Sequence, residues 1–373
     1  MAGIYIHTPF CRSRCTYCGF YSTTRLELRQ SYVEAVCKEM LSRADTVCQE
    51  GELIETVYLG GGTPSQLSVT QLQQLFSTLH QTFPVAAHAE VTMECNPEDV
   101  TDELAAALPA LGINRVSMGA QTFSDQRLQF LHRRHSAAQV SKAVQRLRRV
   151  GISNISIDLM YGFPEETLDN WQHDIDAALD LNVEHLSAYA LSYEEGTPLY
   201  RQLQQGRFCE TDEELERNMY YLLIDRLTEA GYMHYELSNF AKPGFRSRHN
   251  TGYWTYRPYI GLGAAAHSFD GNRRSWNPDN LLLYIEGISN GTLQPAFEDL
   301  DPDTRYNDQI VTALRTREGL SLSKLSAGHR THLLRSARPY LSDGLVTIDD
   351  DRLHLTRSGL FVSDMIMSDL MLV

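Results

Sequence analysis

The feature that most restricts the fold is a repeat. Up to about residue 193, short apolar stretches alternate six times with longer amphipathic ones. Ile4–His7, Thr56–Leu59, Glu90–Glu94, Arg115–Gly119, Ile155–Leu159 and His185–Leu191 read as strands. Between them, Ser68-Val69-Thr70-Gln71 and Ser136-Ala137-Ala138-Gln139 fit the capping box that opens a helix, and Gly112 and Gly151 stand where two helices should stop. Parallel neighbours need a crossover long enough for a helix, so this alternation predicts a parallel sheet with helices outside. The expected architecture is α/β, a partial (β/α)6 barrel; a doubly wound open sheet is the alternative.

A barrel demands that functional residues gather at the carboxyl ends of its strands. The loop after the first strand is Pro9-Phe10-Cys11-Arg12-Ser13-Arg14-Cys15-Thr16-Tyr17-Cys18. Thiolates at Cys11, Cys15 and Cys18 can hold three irons of a [4Fe–4S] cluster and leave the fourth open to an exogenous ligand. A structural zinc would need a fourth Cys or His, and the close candidate is His7, inside the strand. The second strand ends in Gly60-Gly61-Gly62-Thr63-Pro64, the third in Glu94-Cys95-Asn96-Pro97 and the fourth in Gln121-Thr122-Phe123. The fifth holds Asp158, and the sixth runs into Ser192. A glycine triplet lets the backbone approach a ligand with no Cβ in the way. Glu94, Gln121, Arg133 and Asp158 offer acceptors for hydroxyls and a donor for a carboxylate.

The C-x3-C-x2-C spacing, with an aromatic before the last Cys and the lead-in Tyr5-Ile6-His7-Thr8-Pro9-Phe10, resembles the radical S-adenosylmethionine (SAM) enzymes. Within them it is similar to the branch of oxygen-independent coproporphyrinogen oxidase and its heme-chaperone relatives. The resemblance implies a radical-SAM barrel whose open iron takes the amino and carboxylate groups of SAM, one electron from the cluster then cleaving SAM to a deoxyadenosyl radical. It implies that Tyr5, Gly61 and Glu94 contact this SAM, with Ser192 a further candidate, GGGTP standing where the family has a GGE-type motif. Tyr17, Gly62, Thr63, Gln121, Arg133 and Asp158 match positions that line a second SAM pocket in the oxidase.

After the sixth strand the repeat stops. Thr211-Asp212-Glu213-Glu214 reads as another capping box, opening a helix that runs to Gly231; an aromatic-rich segment, Tyr232–Phe240, follows. His249-Asn250-Thr251-Gly252-Tyr253-Trp254 resembles the HNxxYW pattern of the heme-chaperone branch, which makes His249 the expected heme ligand and Tyr253 and Trp254 flat faces for a macrocycle. His267 is a second imidazole candidate. From Pro278 onward the chain reads as helical, with Asp303–Leu314 a helix and Leu345–Ile348 and Arg352–Leu355 a terminal hairpin resembling a winged helix. Asp349, Asp350 and Asp351 at its tip would repel phosphate. The division expected is a partial barrel over 1–200, an extension carrying the heme motif over 201–295 and the winged-helix-like domain over 296–373.

Phe20, where the oxidase carries a further Cys, favours the chaperone; so do HNTGYW and a first strand beginning at Ile4, without the oxidase's N-terminal extension. Gly19 is oxidase-like. The function implied is a heme-binding chaperone with a [4Fe–4S] cluster and SAM, delivering heme to acceptor apoproteins. An electron donor such as flavodoxin or ferredoxin would serve it, and a homodimer is compatible. The alternative is the oxidase itself, decarboxylating two propionates with a SAM-derived radical. Lys and Arg total 33 against 47 Asp and Glu, a net charge of −14, which speaks against a nucleic-acid partner. No apolar run approaches the ~18 residues of a membrane helix, and Met1-Ala2-Gly3-Ile4 does not begin a signal peptide. Seven cysteines, an odd number with three in one loop, suit a reducing compartment and a cytoplasmic location. Cys37, Cys48, Cys95 and Cys209 read as small buried hydrophobes.

Overall fold

Six strands follow one another across a sheet in the order they occur in the chain. In the computed structural model, which describes residues 2–44 and 53–372, they are β1 (Ala2–Thr8), β2 (Ile54–Gly61), β3 (Val85–Cys95), β4 (Arg115–Gln121), β5 (Asn154–Tyr161) and β6 (His185–Ala190), all parallel. The crossovers are α1 (Arg29–Ser42), α2 (Val69–Thr82), α3 (Asp102–Ala110), α4 (Asp125–Phe130) with α5 (Ala137–Arg149), and α6 (Leu168–Asp180). A doubly wound sheet reverses its strand order at a switch point. Here the order 1-2-3-4-5-6 never reverses, which is barrel order. Ser68 caps α2 as expected, taking the N–H of Gln71 while the Gln71 side chain takes the N–H of Ser68.

The sheet extends on both sides to twelve strands. After α7 (Pro198–Gln204) and α8 (Glu213–Glu229), β7 (Met233–Glu236) and β8 (Asn239–Ala241) add antiparallel beside β6. The cap of α8 is Asp212, one residue beyond the expected Thr211, because its carboxylate accepts from the N–H groups of Glu214 and Leu215. Beyond α9 (Arg248–Trp254), β9 (Tyr259–Leu262) pairs in parallel with β1, and β10 (His267–Phe269), β11 (Arg273–Trp276) and β12 (Ala296–Asp299) continue antiparallel, with α10 (Leu281–Asn290) between the last two. β12 falls where the sequence reads as helical. All four of its residues are exposed, so it has no apolar alternation to betray it.

One hydrophobic core joins Ile4 and Ile6 of β1, Val57, Met93, Met118, Ile157 and Leu186 of the next strands, and Tyr284 and Ile288 of α10. A second core holds α11 (Pro302–Leu314), β13 (Leu320–Ser321), α12 (Ala327–Ser336), α13 (Arg338–Ser342), the hairpin β14 (Val346–Asp349) and β15 (Arg352–Leu355), α14 (Arg357–Leu360) and α15 (Ser363–Leu370), around Ile310, Leu333, Leu353 and Ile366. Its strands order β13-β15-β14. The hairpin tip has φ +45° at Asp350 and +62° at Asp351, the two positive values of a tight I′-like turn. Tyr256 donates to Asp308 of α11 at 3.0 Å, and Arg315 lies 4.8 Å from the centre of the Trp254 ring, so α9 is held between the two cores.

Cys37 and Cys95 are buried, but Cys209 is exposed, on the loop between α7 and α8 where no element covers it. Cys48 lies outside the described residues. Among those described, no helix is long and apolar enough to cross a membrane.

Candidate functional site

β1 delivers the three-cysteine loop to the carboxyl edge of the sheet. Phe10, fully buried against the Tyr32 ring, fixes its entry. Thr23 holds its base, accepting from the Cys11 N–H at 2.9 Å and donating to the Pro9 carbonyl at 2.6 Å. Thr16 pins the middle, donating its N–H to Leu131 at 3.2 Å and accepting from Leu199 at 2.9 Å. Cys11, Cys15 and Cys18 are free thiols, each partly accessible. Burial raises the pKa of Cys11 and Cys18, and the neighbouring thiols add to the rise. Cys11 Sγ lies 3.4 Å from Thr63 Oγ1, and Arg133 Nη1 donates to Cys15 Sγ at 3.5 Å. Among the described residues no three His, Cys, Asp or Glu side chains close tightly enough to grip a single metal ion. Three spaced thiols with a guanidinium on one of them fit the larger, negatively charged body of an iron–sulfur cluster. His7 is not spare: its ring nitrogens meet Tyr5 Oη at 3.0 Å and the Tyr21 carbonyl at 3.1 Å, and burial lowers its pKa.

The end of β2 runs directly against this loop. A Cβ on Gly62 would stand 2.8 Å from the Pro9 carbonyl carbon and 3.1 Å from the Phe10 nitrogen. Gly61 has φ +112° and would put a Cβ 2.6 Å from the His7 ring. The Gly61 N–H donates to Glu94 at 3.1 Å, and the Tyr58 hydroxyl donates to the same carboxylate at 2.8 Å. Burial, with Asp158 nearby, pushes the Glu94 carboxyl up to about 7 despite those two bonds. Asp158 is raised to about 6, again chiefly by burial, with Ser117 at 3.4 Å opposing.

The sequence-selected residues fall into two groups around the cysteines. Tyr5, Gly61 and Glu94 stand together with His7 and Tyr58. Arg133 organises the other, donating to Asn96 Oδ1 at 2.7 Å and the Gly119 carbonyl at 2.8 Å, while Asn96 donates to Thr63 at 3.3 Å. Gln121, at φ +65°, comes close beside Arg133 over Gly119; Tyr17 lies within electrostatic reach of Cys15, Cys18, Arg133 and Asp158. Ser192 is exposed just past β6. Sequence reasoning passed over Tyr58 and Arg115. Arg115 is buried at the start of β4, where its charge favours the ionised forms of Glu94 and Asp158. A lone cation opening an otherwise apolar strand was the available signal.

His249 is placed at the other end of the barrel, among the strand starts. Its N–H donates to Glu90 at 3.0 Å; Nδ1 lies 2.9 Å from Thr56 Oγ1 and Nε2 2.8 Å from Tyr253 Oη. The ring stacks on Tyr58 at 5.1 Å, is 3% exposed and stays neutral, its pKa lowered to about 3 by burial. Beside it opens a shallow pocket lined by Glu55, Arg248, Tyr253, Arg257 and Tyr259. His267 is exposed on β10 with its ring on Trp276 at 5.7 Å.

Strands in unbroken barrel order, with a three-cysteine loop after the first, define a radical-SAM scaffold. Residues 5–178 match the Radical SAM superfamily and residues 300–362 the HemN C-terminal domain. The heme chaperone HemW of Mycobacterium tuberculosis is 36% identical over 374 residues, covering 99% of this chain and 94% of that protein. Its counterpart in Bacillus subtilis is 33% identical over 367 residues, 96% of each. The chain belongs to the HemW heme-chaperone family. The structure of coproporphyrinogen III oxidase (HemN) from Escherichia coli matches with a TM-score of 0.86 over 99% of this chain and 89% of that one. At 22% identity that likeness is one of fold.

Proposed function

We propose that this chain binds heme and hands it to acceptor apoproteins, carrying a [4Fe–4S] cluster on Cys11, Cys15 and Cys18 and SAM beside it. The observation that carries the reading is that the end of β2 runs against the cysteine loop, with Cys11 beside Thr63, Gly62 against Pro9 and Phe10, and Gly61 on Glu94. When bound, the cluster supplies a one-electron reductant with an open coordination site. Glu94 offers a carboxylate to the amino group of SAM, and Gly61 leaves room for it. Tyr17, Gly62, Thr63, Gln121, Arg133 and Asp158 provide a second polar wall. Free thiols of this kind suit a reducing cytoplasm.

Heme is the cargo, and the pocket beside His249 is the site we assign to it. An imidazole that stays neutral at any physiological pH is suited to iron, and Arg248 and Arg257, which share Glu55 at 3.5 and 3.7 Å, are cations that would exchange that carboxylate for propionates. Ligation would require His249 to release the Tyr253 hydroxyl. The test is anaerobic reconstitution followed by parallel assays of heme binding and of propionate decarboxylation. Heme binding that weakens in His249→Ala, a cluster lost in Cys15→Ala but kept in Cys209→Ala, and no carbon dioxide from coproporphyrinogen III are expected. Carbon dioxide released in proportion to SAM consumed would make the oxidase the answer. Unchanged heme spectra and affinity in His249→Ala would move the ligand to His267.

A further inference from the structure

Two short basic segments are zipped together at the mouth of the cysteine loop. Thr16 donates its N–H to Leu131 and its hydroxyl to the Phe130 carbonyl, at 3.2 and 3.3 Å. This brings Arg12-Ser13-Arg14 alongside His132-Arg133-Arg134. Arg133 turns inward to Cys15, Asn96 and Gly119. Arg12, Arg14, His132 and Arg134 are exposed. Arg12, His132 and Arg134 line, with Cys15 itself, a shallow concave pocket.

The charges of this collar are mostly unspent. Arg12 is held by Gln66 at 3.0 Å, but Arg14 and Arg134 make no hydrogen bond or ion pair among the described residues. Three carboxylates stand near the collar: Glu98, which lines the same pocket and faces His135 at 3.5 Å, Asp99, which accepts from Ser65 at 2.9 Å and from Gln66, and Glu194, which lies against Gly19; none of them pairs with Arg14 or Arg134. A guanidinium needed only to balance thiolates would point at them, as Arg133 does. Arg14 and Arg134 face water instead, on a chain whose net charge is −14. Phe20, 70% exposed two residues after Cys18, adds an apolar contact to the same loop.

We infer that this collar is the docking surface of an acidic one-electron carrier protein. The inference rests on the cluster proposed above and says where that cluster's electron enters. One electron leaves the carrier's reduced cofactor and reduces the cluster by one; no bond forms or breaks and no proton need move. Electron-transfer contacts are small and governed by charge steering, which a few free cations at the point of closest approach can supply. A polyanion such as nucleic acid would need a longer basic stripe.

The experiment uses the full chain, reconstituted without oxygen and matched for iron content, mixed in a stopped flow with flavodoxin hydroquinone. A reduced acidic [2Fe–2S] ferredoxin is run in parallel, and bleaching of the cluster's visible absorption is followed. Arg134→Glu should slow the second-order rate about tenfold at low salt, and Arg14→Glu combined with it should slow the rate further. The wild-type rate should fall as salt is added, with a flatter dependence in the variants. Dithionite should reduce all three proteins equally fast. Arg134 lies off the cysteine loop, so its variant tests docking even where changes at Arg14 impair cluster uptake. Variant rates equal to wild type with both carriers, a wild-type rate indifferent to salt, or no reduction by either carrier would overturn the docking surface. A chain that takes up no cluster, or one that dithionite cannot reduce, would sink the cofactor reading instead.

Discussion

Glu94 should set the stability and the SAM affinity of this chain in opposite directions. Its carboxyl is raised from 4.5 to about 7, mainly by burial. Below pH 4.5 the group is neutral in both folded and unfolded chains and costs nothing. Between 4.5 and about 7 the unfolded chain gives up its proton while the folded chain keeps it, so stability is lost as pH rises. Above 7 the loss is complete, and at about 1.4 kcal/mol per pH unit it amounts to about 3 kcal/mol. Glu94→Gln removes the charge and keeps an amide oxygen for the Tyr58 hydroxyl, but sets an NH2 donor against the Gly61 N–H at every pH. In urea titrations of the cluster-free chain its effect on stability should be about 3 kcal/mol more favourable at pH 8 than at pH 4.5. SAM binding should show the reverse. The N–H groups of the SAM amine are held better by a carboxylate than by a protonated carboxyl, so calorimetric affinity of the cluster-loaded wild type should fall about tenfold from pH 8 to pH 6, while Glu94→Gln binds weakly at both. Equal destabilisation by Gln at pH 8 and pH 4.5 would refute the burial argument. Tight, pH-independent SAM binding by Gln would refute the pairing.

Three further outcomes follow from local geometry. Gly61→Val must hold a β-branched residue at φ +112° with its Cβ against His7, so it should lose roughly 1–3 kcal/mol and most SAM binding, read by thermal melts and calorimetry. Ile310→Ala empties part of the second core and should cost about 2–5 kcal/mol, appearing as an earlier calorimetric transition, with cluster absorption surviving until the main one. Replacing Asp350-Asp351 by Asn-Gly suits the two positive φ values and should raise the midpoint of that early transition.

The parallel strands were legible because they are buried, apolar and separated by helices with punctuated ends. The Ser68 cap and the glycine stops belong to the same local code. Residues at the carboxyl ends of strands were legible for a related reason: in barrel order, chain position alone says which edge they reach. β9 to β12 were not. They are three or four residues long, and β12 has no buried face, so neither periodicity nor length announces them. The placement of His249 was equally hidden. The six residues of HNTGYW say nothing of which end of the barrel α9 closes; that is decided by Thr56 and Glu90, more than 150 residues earlier. Cys209 misled because cysteine is so often buried that its exposure has no signature in sequence.

The parallel pairing of β9 with β1 means that the strand carrying the cysteines is an inner strand, completed by a segment some 250 residues downstream. Shortening the gene to the stretch that matches the superfamily, residues 5–178, would therefore not yield a minimal version of the protein. It would delete β6 and strip β1 of a neighbour, leaving two bare ladders of amide and carbonyl groups open to pairing between molecules. Ancestry and engineering meet the same constraint. A lineage that acquired this C-terminal half could diversify it, yet could no longer discard it without first finding another strand to lay along Gly3–Ile6.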